Sequence, residues 1–143
     1  MKFEKYLVES KNISLLPFDK EVFNSIEGKE HMFLPYYLEK KEGTFYTISN
    51  DNNKIGIVGF VHTEETPFLI VGIIKEFRGQ GFLIKAYEAL VEKHGFKKLY
   101  ADVERKNKVS LEAHKDIGFK ELPEGEKVDK RLYSTDIRLY KEF

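Results

Sequence analysis

Residues 74–83 read IKEFRGQGFL, a charged turn with glycines at positions 79 and 81. The turn separates an apolar run from a segment of helical periodicity, so it joins a strand to the start of a helix. The first N–H groups of a helix lack intrahelical partners and lie at the positive end of its dipole. Glycines let an anion approach such a backbone, and Arg78 adds a permanently charged donor. The stretch is compatible with a phosphate site and with a plain tight turn, and Gly-X-Gly alone does not decide between them.

The composition indicates one globular domain, expected to span residues 1–143. The chain has 24 basic and 24 acidic residues, 41% hydrophobic residues and no cysteine. The balanced charge argues against a nucleic-acid partner, and the lack of cysteine excludes disulfides and thiolate metal sites. Neither a signal-peptide core nor a run long enough to span a membrane is present. We therefore predict a cytoplasmic protein with no membrane partner and no metal.

The first half of the chain predicts helices followed by strands. Residues 21–43 have roughly helical spacing, interrupted near Gly28 and Pro35, which indicates two short helices after an initial strand. Residues 44–74 indicate a meander of about three strands, divided by the turn-forming stretches NDNN and TEETP.

The second half begins with the clearest helix, residues 79–95, in which His94 is expected as a C-terminal cation and Gly95 as the C-cap. Residues 97–104 alternate as a strand whose apolar face is formed by Leu99, Ala101 and Val103, with Asp102 on the other face. Asn107 caps a further helix that ends at Gly118, and two closing strands follow. This order of elements predicts a mixed α/β sheet.

Two common nucleotide-binding motifs fit the turn poorly. The Walker sequence G-x-x-x-x-G-K-[ST] is absent. The dinucleotide motif G-x-G-x-x-G fails at its third glycine, where Ile84 stands, and KEFR separates the strand from Gly79. Asp102 does lie about as far downstream of the turn as the ribose-binding acid of the dinucleotide motif. The dinucleotide interpretation therefore fits poorly but keeps one matching feature.

The turn resembles the acetyl-CoA motif R/Q-x-x-G-x-G/A of the GCN5-related N-acetyltransferases. It reads Arg78-Gly79-Gln80-Gly81-Phe82-Leu83, with Leu83 in place of the small sixth residue, and follows IIKEF where the family often has V-x-P-E-Y. Residues 107–119 resemble a second family segment, N-x-x-A/S-x-x-x-Y-x-x-x-G-F. Asn107, Ser110, Gly118 and Phe119 match it, and His114 replaces the tyrosine. The specific part of the resemblance covers residues 44–119.

The resemblance implies a single-domain α/β (α+β) fold with a mixed, mostly antiparallel sheet of six or seven strands and about four helices. The fourth and fifth strands would splay apart near Gly72 and Ile73, and the pantetheine arm of acetyl-CoA would lie between them. A backbone amide near Ile73 would polarise the thioester carbonyl. The implied cofactor-binding residues are Ile73, Ile74, Arg78, Gly79, Gln80, Gly81, Phe82, Leu83 and Asn107.

Two side chains are candidates for catalysis. Asp102 aligns with a glutamate that some protein-acetylating members use as a general base through water, and its alternative is a solvated acid at a strand end. His114 shares a helix face with Asn107 and could protonate the departing thiolate, or it is a partly exposed histidine without a catalytic task.

Weaker candidates lie on either side of the predicted meander. His62, Glu64 and Glu65 are possible bases, or a solvated turn. Tyr36, Tyr37, His31 and Met32 fall in the helical pair that usually walls the acceptor site in this family, although core packing also explains most aromatic residues there.

The resemblance implies transfer of an acetyl group from acetyl-CoA to a primary amine by direct attack in a ternary complex. The partner would be a small-molecule or peptide amine, and the protein would be a monomer or a homodimer. The alternative is a non-catalytic acyl-CoA-binding or regulatory module. His114 in place of tyrosine, and the absence of a glutamate on the fourth strand, keep this alternative open.

Overall fold

The strands form one mixed sheet in the computed structural model, which describes residues 12–29, 32, 34–62, 67–123 and 135–143. In chain order they are β1 (Ile13–Pro17), β2 (Gly43–Asn50), β3 (Asn53–Val61), β4 (Phe68–Ile73), β5 (Lys98–Glu104), β6 (Lys120–Glu121) and β7 (Asp136–Glu142). Their order across the sheet is β1-β2-β3-β4-β5-β7-β6. Among these described strands, β4 and β5 run parallel and all other neighbours are antiparallel.

The helices are α1 (Lys20–Asn24), α2 (Leu34–Lys40), α3 (Phe82–His94) and α4 (Lys108–Asp116), and a short 3-10 turn spans Lys75–Phe77. The predicted order of helices and strands is confirmed, as is the mixed sheet of six or seven strands, which has seven in the described residues. No helix in the described part of the chain is long and apolar enough to span a membrane.

The two faces of the sheet carry different helices. On one face, α3 buries Phe82, Ala86, Tyr87 and Leu90 in the larger core cluster, as the predicted apolar face requires. On the other face, α1 and α2 contribute Val22, Phe23 and Leu34 to a second cluster with Phe45 and Ile57. Side chains alternate between the faces of a strand, so β4 contributes to both clusters.

The start of α1 is fixed to the sheet by polar contacts of Asp19. Its Oδ1 caps the helix by accepting from the Glu21 N–H at 2.9 Å, and its own N–H donates to Thr47 Oγ1 at 2.8 Å. Lys54 Nζ lies 2.9 Å from Asp19 Oδ2. These contacts fix the N-terminal end of α1 to β2 and β3.

Candidate active site

β4 and β5 meet at one end and separate towards the other. Phe68 is the register partner of Tyr100, and the Tyr100 N–H donates to the Pro67 carbonyl at 3.1 Å. No further register pair joins these two strands within the described residues. The strands therefore enclose a gap that opens towards Gly72 and Ile73, and the predicted splay is confirmed.

Backbone groups of β4 face this gap at alternate residues. The Ile74 N–H donates to the Ile55 carbonyl of the neighbouring chain segment at 2.8 Å, which makes this opposed pair a hydrogen-bonded one. Because such pairs alternate in an antiparallel ladder, Ile73 opposite Gly56 is non-hydrogen-bonded, and its N–H and C=O point away from β3. Val71 has the same orientation. Of the two predicted amides, the one that faces the gap is therefore that of Ile73, because the Ile74 amide is engaged on the opposite side.

The turn that follows β4 has two glycines in the left-handed region. Gly79 has φ of +75° and Gly81, the N-cap of α3, has φ of +84°. A Cβ built on Gly79 would have no atom within 4 Å, so the backbone there is uncovered. An exposed backbone leading into the N-terminus of a 13-residue helix has the donor arrangement that a phosphate requires.

The side chains of Arg78 and Gln80 donate to backbone carbonyls. Arg78 Nε donates to the Ile73 carbonyl at 2.8 Å and Nη2 to the Glu27 carbonyl at 2.9 Å. Gln80 Nε2 donates to the Glu76 carbonyl at 2.9 Å. Arg78 was expected as a charged donor to phosphate, but its fork binds two backbone oxygens. An anion in this turn would therefore meet backbone N–H groups before side chains.

The remaining predicted cofactor residues lie around the same gap. The Phe82 side chain is buried in the main core, and Leu83 packs partly against that core. Only the backbones of these two residues are therefore well placed for an anion. Asn107 caps α4 as predicted, with Oδ1 accepting from the Ser110 N–H at 3.2 Å. Both Leu83 and Asn107 line the cleft described next.

A continuous open cleft of about 1590 Å³ surrounds the gap. The side predicted to bind the cofactor consists of the glycine turn, the start of α3 and the start of α4. The opposite wall includes Ile26, Met32 and Tyr37 from the α1–α2 region. This wall lies close to β4 because a Cβ on Gly72 would be only 3.0 Å from Met32 Sδ and 3.1 Å from Ile26 Cδ1. The predicted acceptor wall is thus packed directly over the splay.

Asp102 is held by a buried arginine. Both of its carboxylate oxygens accept from Arg138, at 2.8 Å from Nε and 3.0 Å from Nη2. The Asp102 side chain is 18% exposed and that of Arg138 is 6% exposed. Asp102 lies on the face opposite Leu99 and Ala101, as predicted, and lines the cleft. It is a paired carboxylate, and the alternative of a solvated strand-end acid is wrong.

Asp136 is a cleft carboxylate that the sequence reasoning missed. It begins β7 opposite Glu104, and both line the cleft beside Asp102. Burial, followed by the negative charges of Asp102 and Glu104, raises the pKa of Asp136 above its ordinary value. The signal was present in the alternation of residues 136–140, but only the β5–β7 register shows that Asp136 and Arg138 share a face with Asp102.

His114 is buried in a hydrogen-bonded pair with Tyr87. Its Nε2 lies 2.8 Å from the Tyr87 hydroxyl, and its Nδ1 lies 2.8 Å from the Ser110 carbonyl. A carbonyl can only accept, so Nδ1 carries the proton, and neutral Nε2 accepts from Tyr87. Burial lowers the pKa of His114 below its usual range. The residue is 4% exposed, so the alternative of a partly exposed histidine is wrong; its role as an acid stays a prediction.

Several of the weaker candidates lie outside the cleft or outside the described residues. His62 Nε2 lies 2.8 Å from Thr44 Oγ1, next to the Phe60 ring and outside the cleft lining. His94 lies 2.7 Å from the Tyr46 hydroxyl, and burial, with the charges of Lys93 and His62, lowers its pKa. The expected helix C-terminal cation is therefore disfavoured at neutral pH. Tyr36 is exposed, and His31, Glu64 and Glu65 lie outside the described residues.

Within the described ranges, no three histidine, aspartate, glutamate or cysteine side chains come together in an arrangement that could hold a metal ion.

The acetyltransferase (GNAT) family model matches residues 12–119, and the chain belongs to this family. No curated protein sequence matches the chain significantly. Among solved structures, a GNAT family acetyltransferase from Elizabethkingia anophelis with acetyl-CoA bound is 19% identical, with 93% of this chain and 99% of that chain covered and a TM-score of 0.65. The fold named by the sequence resemblance is thus confirmed.

Two further solved structures share the fold. An N-acetyltransferase from Campylobacter jejuni in complex with acetyl coenzyme A is 16% identical over 91% of this chain and 98% of that chain, with a TM-score of 0.64. A spermidine/spermine N-acetyltransferase from Vibrio cholerae is 15% identical over 94% of each chain, with a TM-score of 0.62. At such identities the likeness defines the architecture.

Proposed function

We propose that the protein is an N-acetyltransferase that uses acetyl-CoA to acetylate a primary amine in a ternary complex. The observation that carries this proposal is the divergence of β4 and β5 beyond Phe68 and Tyr100, directly beside the uncovered glycine turn. The gap can receive an extended arm, and the turn can receive an anion at its end. Acetyl-CoA combines these two features with a thioester, and neighbours with this fold bind it.

Each part of the gap has a role in this proposal. The Gly79–Gly81 backbone and the start of α3 hold the pyrophosphate, since the backbone at Gly79 is open and the first N–H groups of a helix lack intrahelical partners. The Ile73 N–H, which points into the gap, donates to the thioester carbonyl and stabilises the negative charge that develops there. Asn107, at the start of α4, contacts the amides of the pantetheine arm. Acetyl-CoA supplies the acyl group; the amine nitrogen forms the new amide bond as the carbon–sulfur bond breaks.

The acceptor amine binds on the side of the cleft that Ile26 and Met32 line. An amine attacks only when unprotonated: an α-amino group of pKa about 7.8 is roughly one-seventh free at pH 7, and a lysine of pKa about 10.4 only about one part in 2,500. Cationic acceptors therefore need proton removal. In this proposal Asp102 orders the water that removes the proton, and the neighbouring Asp136 and Glu104 add a negative field that attracts the amine.

His114 could act as the acid only after a change in its protonation and hydrogen bonding. It can protonate the departing thiolate only if Nε2 carries a proton, and burial disfavours the charged imidazole. The Tyr87 hydroxyl would also have to leave Nε2 or accept from it. Until tested, His114 as the acid stays a prediction.

The engaged state of both proton-transfer candidates favours a second function, a non-catalytic acyl-CoA-binding or regulatory module. Both carboxylate oxygens of Asp102 accept hydrogen bonds from Arg138, and His114 has partners at both ring nitrogens. Such a module would keep the glycine turn and lack turnover. Its acceptor wall would then have another task.

One paired experiment tests both functions. Calorimetry with CoA and with acetyl-CoA measures binding, and thiol release in the presence of acetyl-CoA measures turnover with a panel of polyamines, aminoglycosides, amino acids and peptides with free N-termini or lysines. Binding with amine-dependent thiol release supports the enzyme, with the acetylated product identified by mass spectrometry. Binding without release from any amine supports the module, and absence of binding contradicts both.

The oligomeric state, monomer or homodimer, and the cytoplasmic location stay predictions.

A further inference from the structure

Arg78 lies where the cofactor side and the acceptor side of the cleft meet. One guanidinium nitrogen donates to the carbonyl of Ile73, the last residue of β4, and another donates to the carbonyl of Glu27, just beyond α1. We propose that Arg78 is a positioning residue that fixes the acceptor wall to β4, and that its side chain is not a phosphate ligand. This inference rests on the proposed function.

The chemistry of arginine suits this bridge. A guanidinium presents several N–H donors in a rigid plane, so a single side chain can satisfy two carbonyls at a fixed separation. The Ile73 carbonyl needs such a donor because it faces the gap and has no partner in β3. The bridge therefore depends on the same divergence of the strands that creates the cofactor gap.

The backbone of the segment held by Arg78 is open around Gly28. Gly28 has φ of +87°, and a Cβ there would contact no atom within 4 Å. Lys75 lies 3.6 Å from a Glu27 carboxylate oxygen, but both side chains are highly exposed. Exposed ion pairs of this kind contribute little to stability. Of these two described contacts with the segment, the Arg78 bridge is thus the better defined.

The segment matters for the acceptor because its flanking residues form the wall of the cleft. Ile26 is 4% exposed and lies over Gly72 together with Met32. If the Glu27 backbone moves, Ile26 moves with it, and the acceptor wall loses its fit over the reacting end of β4. Loss of Arg78 should therefore weaken acceptor binding. CoA binding should be largely retained, because the Gly79–Gly81 backbone supplies the anion donors.

Hydrogen–deuterium exchange of the free and CoA-bound protein tests the bridge without any need for turnover. In Arg78→Ala, amides of residues 23–29 should exchange faster than in wild type, since the protected amides of Ser25 and Ile26 open more often. CoA affinity measured by calorimetry should fall less than fivefold. Lys75→Ala is the matched control, because it removes the exposed contact to the same segment, and it should leave exchange nearly unchanged.

Two results would overturn the proposal: unchanged exchange at residues 23–29 in Arg78→Ala, or a loss of CoA affinity of fivefold or more, which would make Arg78 a phosphate ligand. If the amine panel yields an acceptor, Arg78→Ala should raise its KM about tenfold with kcat within about twofold, and Arg78→Lys should restore part of the loss. A protein that turns over no amine contradicts the proposed function and leaves the exchange result interpretable.

Discussion

Asp102 on β5 and Arg138 on β7 form a two-point ion pair between register partners, with nitrogen–oxygen distances of 2.8 and 3.0 Å. The guanidinium carbon of Arg138 lies 4.7 Å from the centroid of the Phe68 ring. Phe68 is the β4 residue that pairs with β5 before the strands diverge. The ion pair therefore joins three strands at the closed end of the gap.

Replacing Asp102 with alanine should destabilise the protein by about 3 kcal/mol or more, as expected when one partner of a buried ion pair is removed. Arg138 would keep its charge in a largely buried position without this carboxylate. Urea unfolding of both proteins measures the difference. Glu121→Ala is the control, because its contact with Lys115 at 3.1 Å is half-exposed and should contribute about 0–1 kcal/mol. Equal losses in the two variants would show that the Asp102 pair is no stronger than a surface pair.

Replacing Gly81 with aspartate should remove measurable CoA binding. The change puts a side chain and a negative charge where the pyrophosphate is predicted, and strains a residue with φ of +84°. Gly95→Asp is a matched control, because Gly95 has φ of +74° at the other end of the same helix. Both variants carry backbone strain, but only the first should lose CoA in calorimetry. Unchanged CoA affinity in folded Gly81→Asp would remove the turn from the binding site.

The turn and the helix ends could be predicted from the sequence because their signals are local. Gly79 and Gly81 precede a helix with a clear apolar face, and Gly95 and Asn107 are caps that need only their neighbours. The Asp102–Arg138 pair could not be predicted. Its partners are 36 residues apart, and their contact depends on the β5–β7 register.

The burial of His114 could not be predicted for a similar reason. Helical spacing correctly grouped His114 with Ser110 and Asn107, but spacing does not tell which side of a helix face borders a core. The buried Tyr87 hydroxyl, which belongs to a different helix, hydrogen-bonds to His114 and places it in the core. Arg78 illustrates the same limit: its motif position was recognised, but its partners Ile73 and Glu27 are set by tertiary contacts.

The buried His114 should make stability depend on pH. Its pKa is lowered from the ordinary value of 6.5 on folding, so below about pH 6.5 the unfolded chain binds a proton that the folded chain does not. Stability contributed by the neutral histidine is thus present at neutral pH and lost as pH falls. Urea unfolding from pH 7.5 to 5 should show a smaller decline in His114→Phe than in wild type.

The free energy of unfolding is compared by its slope against pH rather than by its value at one pH. The reason is that His114→Phe also leaves the Tyr87 hydroxyl without this partner, which costs about 1–3 kcal/mol at every pH. His94→Gln is the control histidine change. His94 is more exposed, although its pKa is also lowered, so its removal should alter the slope less. Identical slopes in wild type and His114→Phe would mean that His114 titrates alike in the folded and unfolded chains.

Asp102 is expected to order the water that accepts the proton of the amine. Asn has nearly the same shape but only one acceptor oxygen, so Asp102→Asn removes the charge with little change in volume. If Asp102 assists deprotonation, kcat/KM should fall most at low pH, where the amine is largely protonated, and much less at high pH, where free amine is abundant. Asp136→Asn is the companion variant, because Asp136 lines the same cleft without bonding to both nitrogens of Arg138. With an acceptor in hand, kcat/KM is measured from pH 6 to 10 for all three proteins, under conditions where unfolding shows each to be native. A loss of equal size at every pH would assign Asp102 to holding Arg138 and the strand, and a loss confined to low pH in Asp136→Asn alone would transfer the role to Asp136.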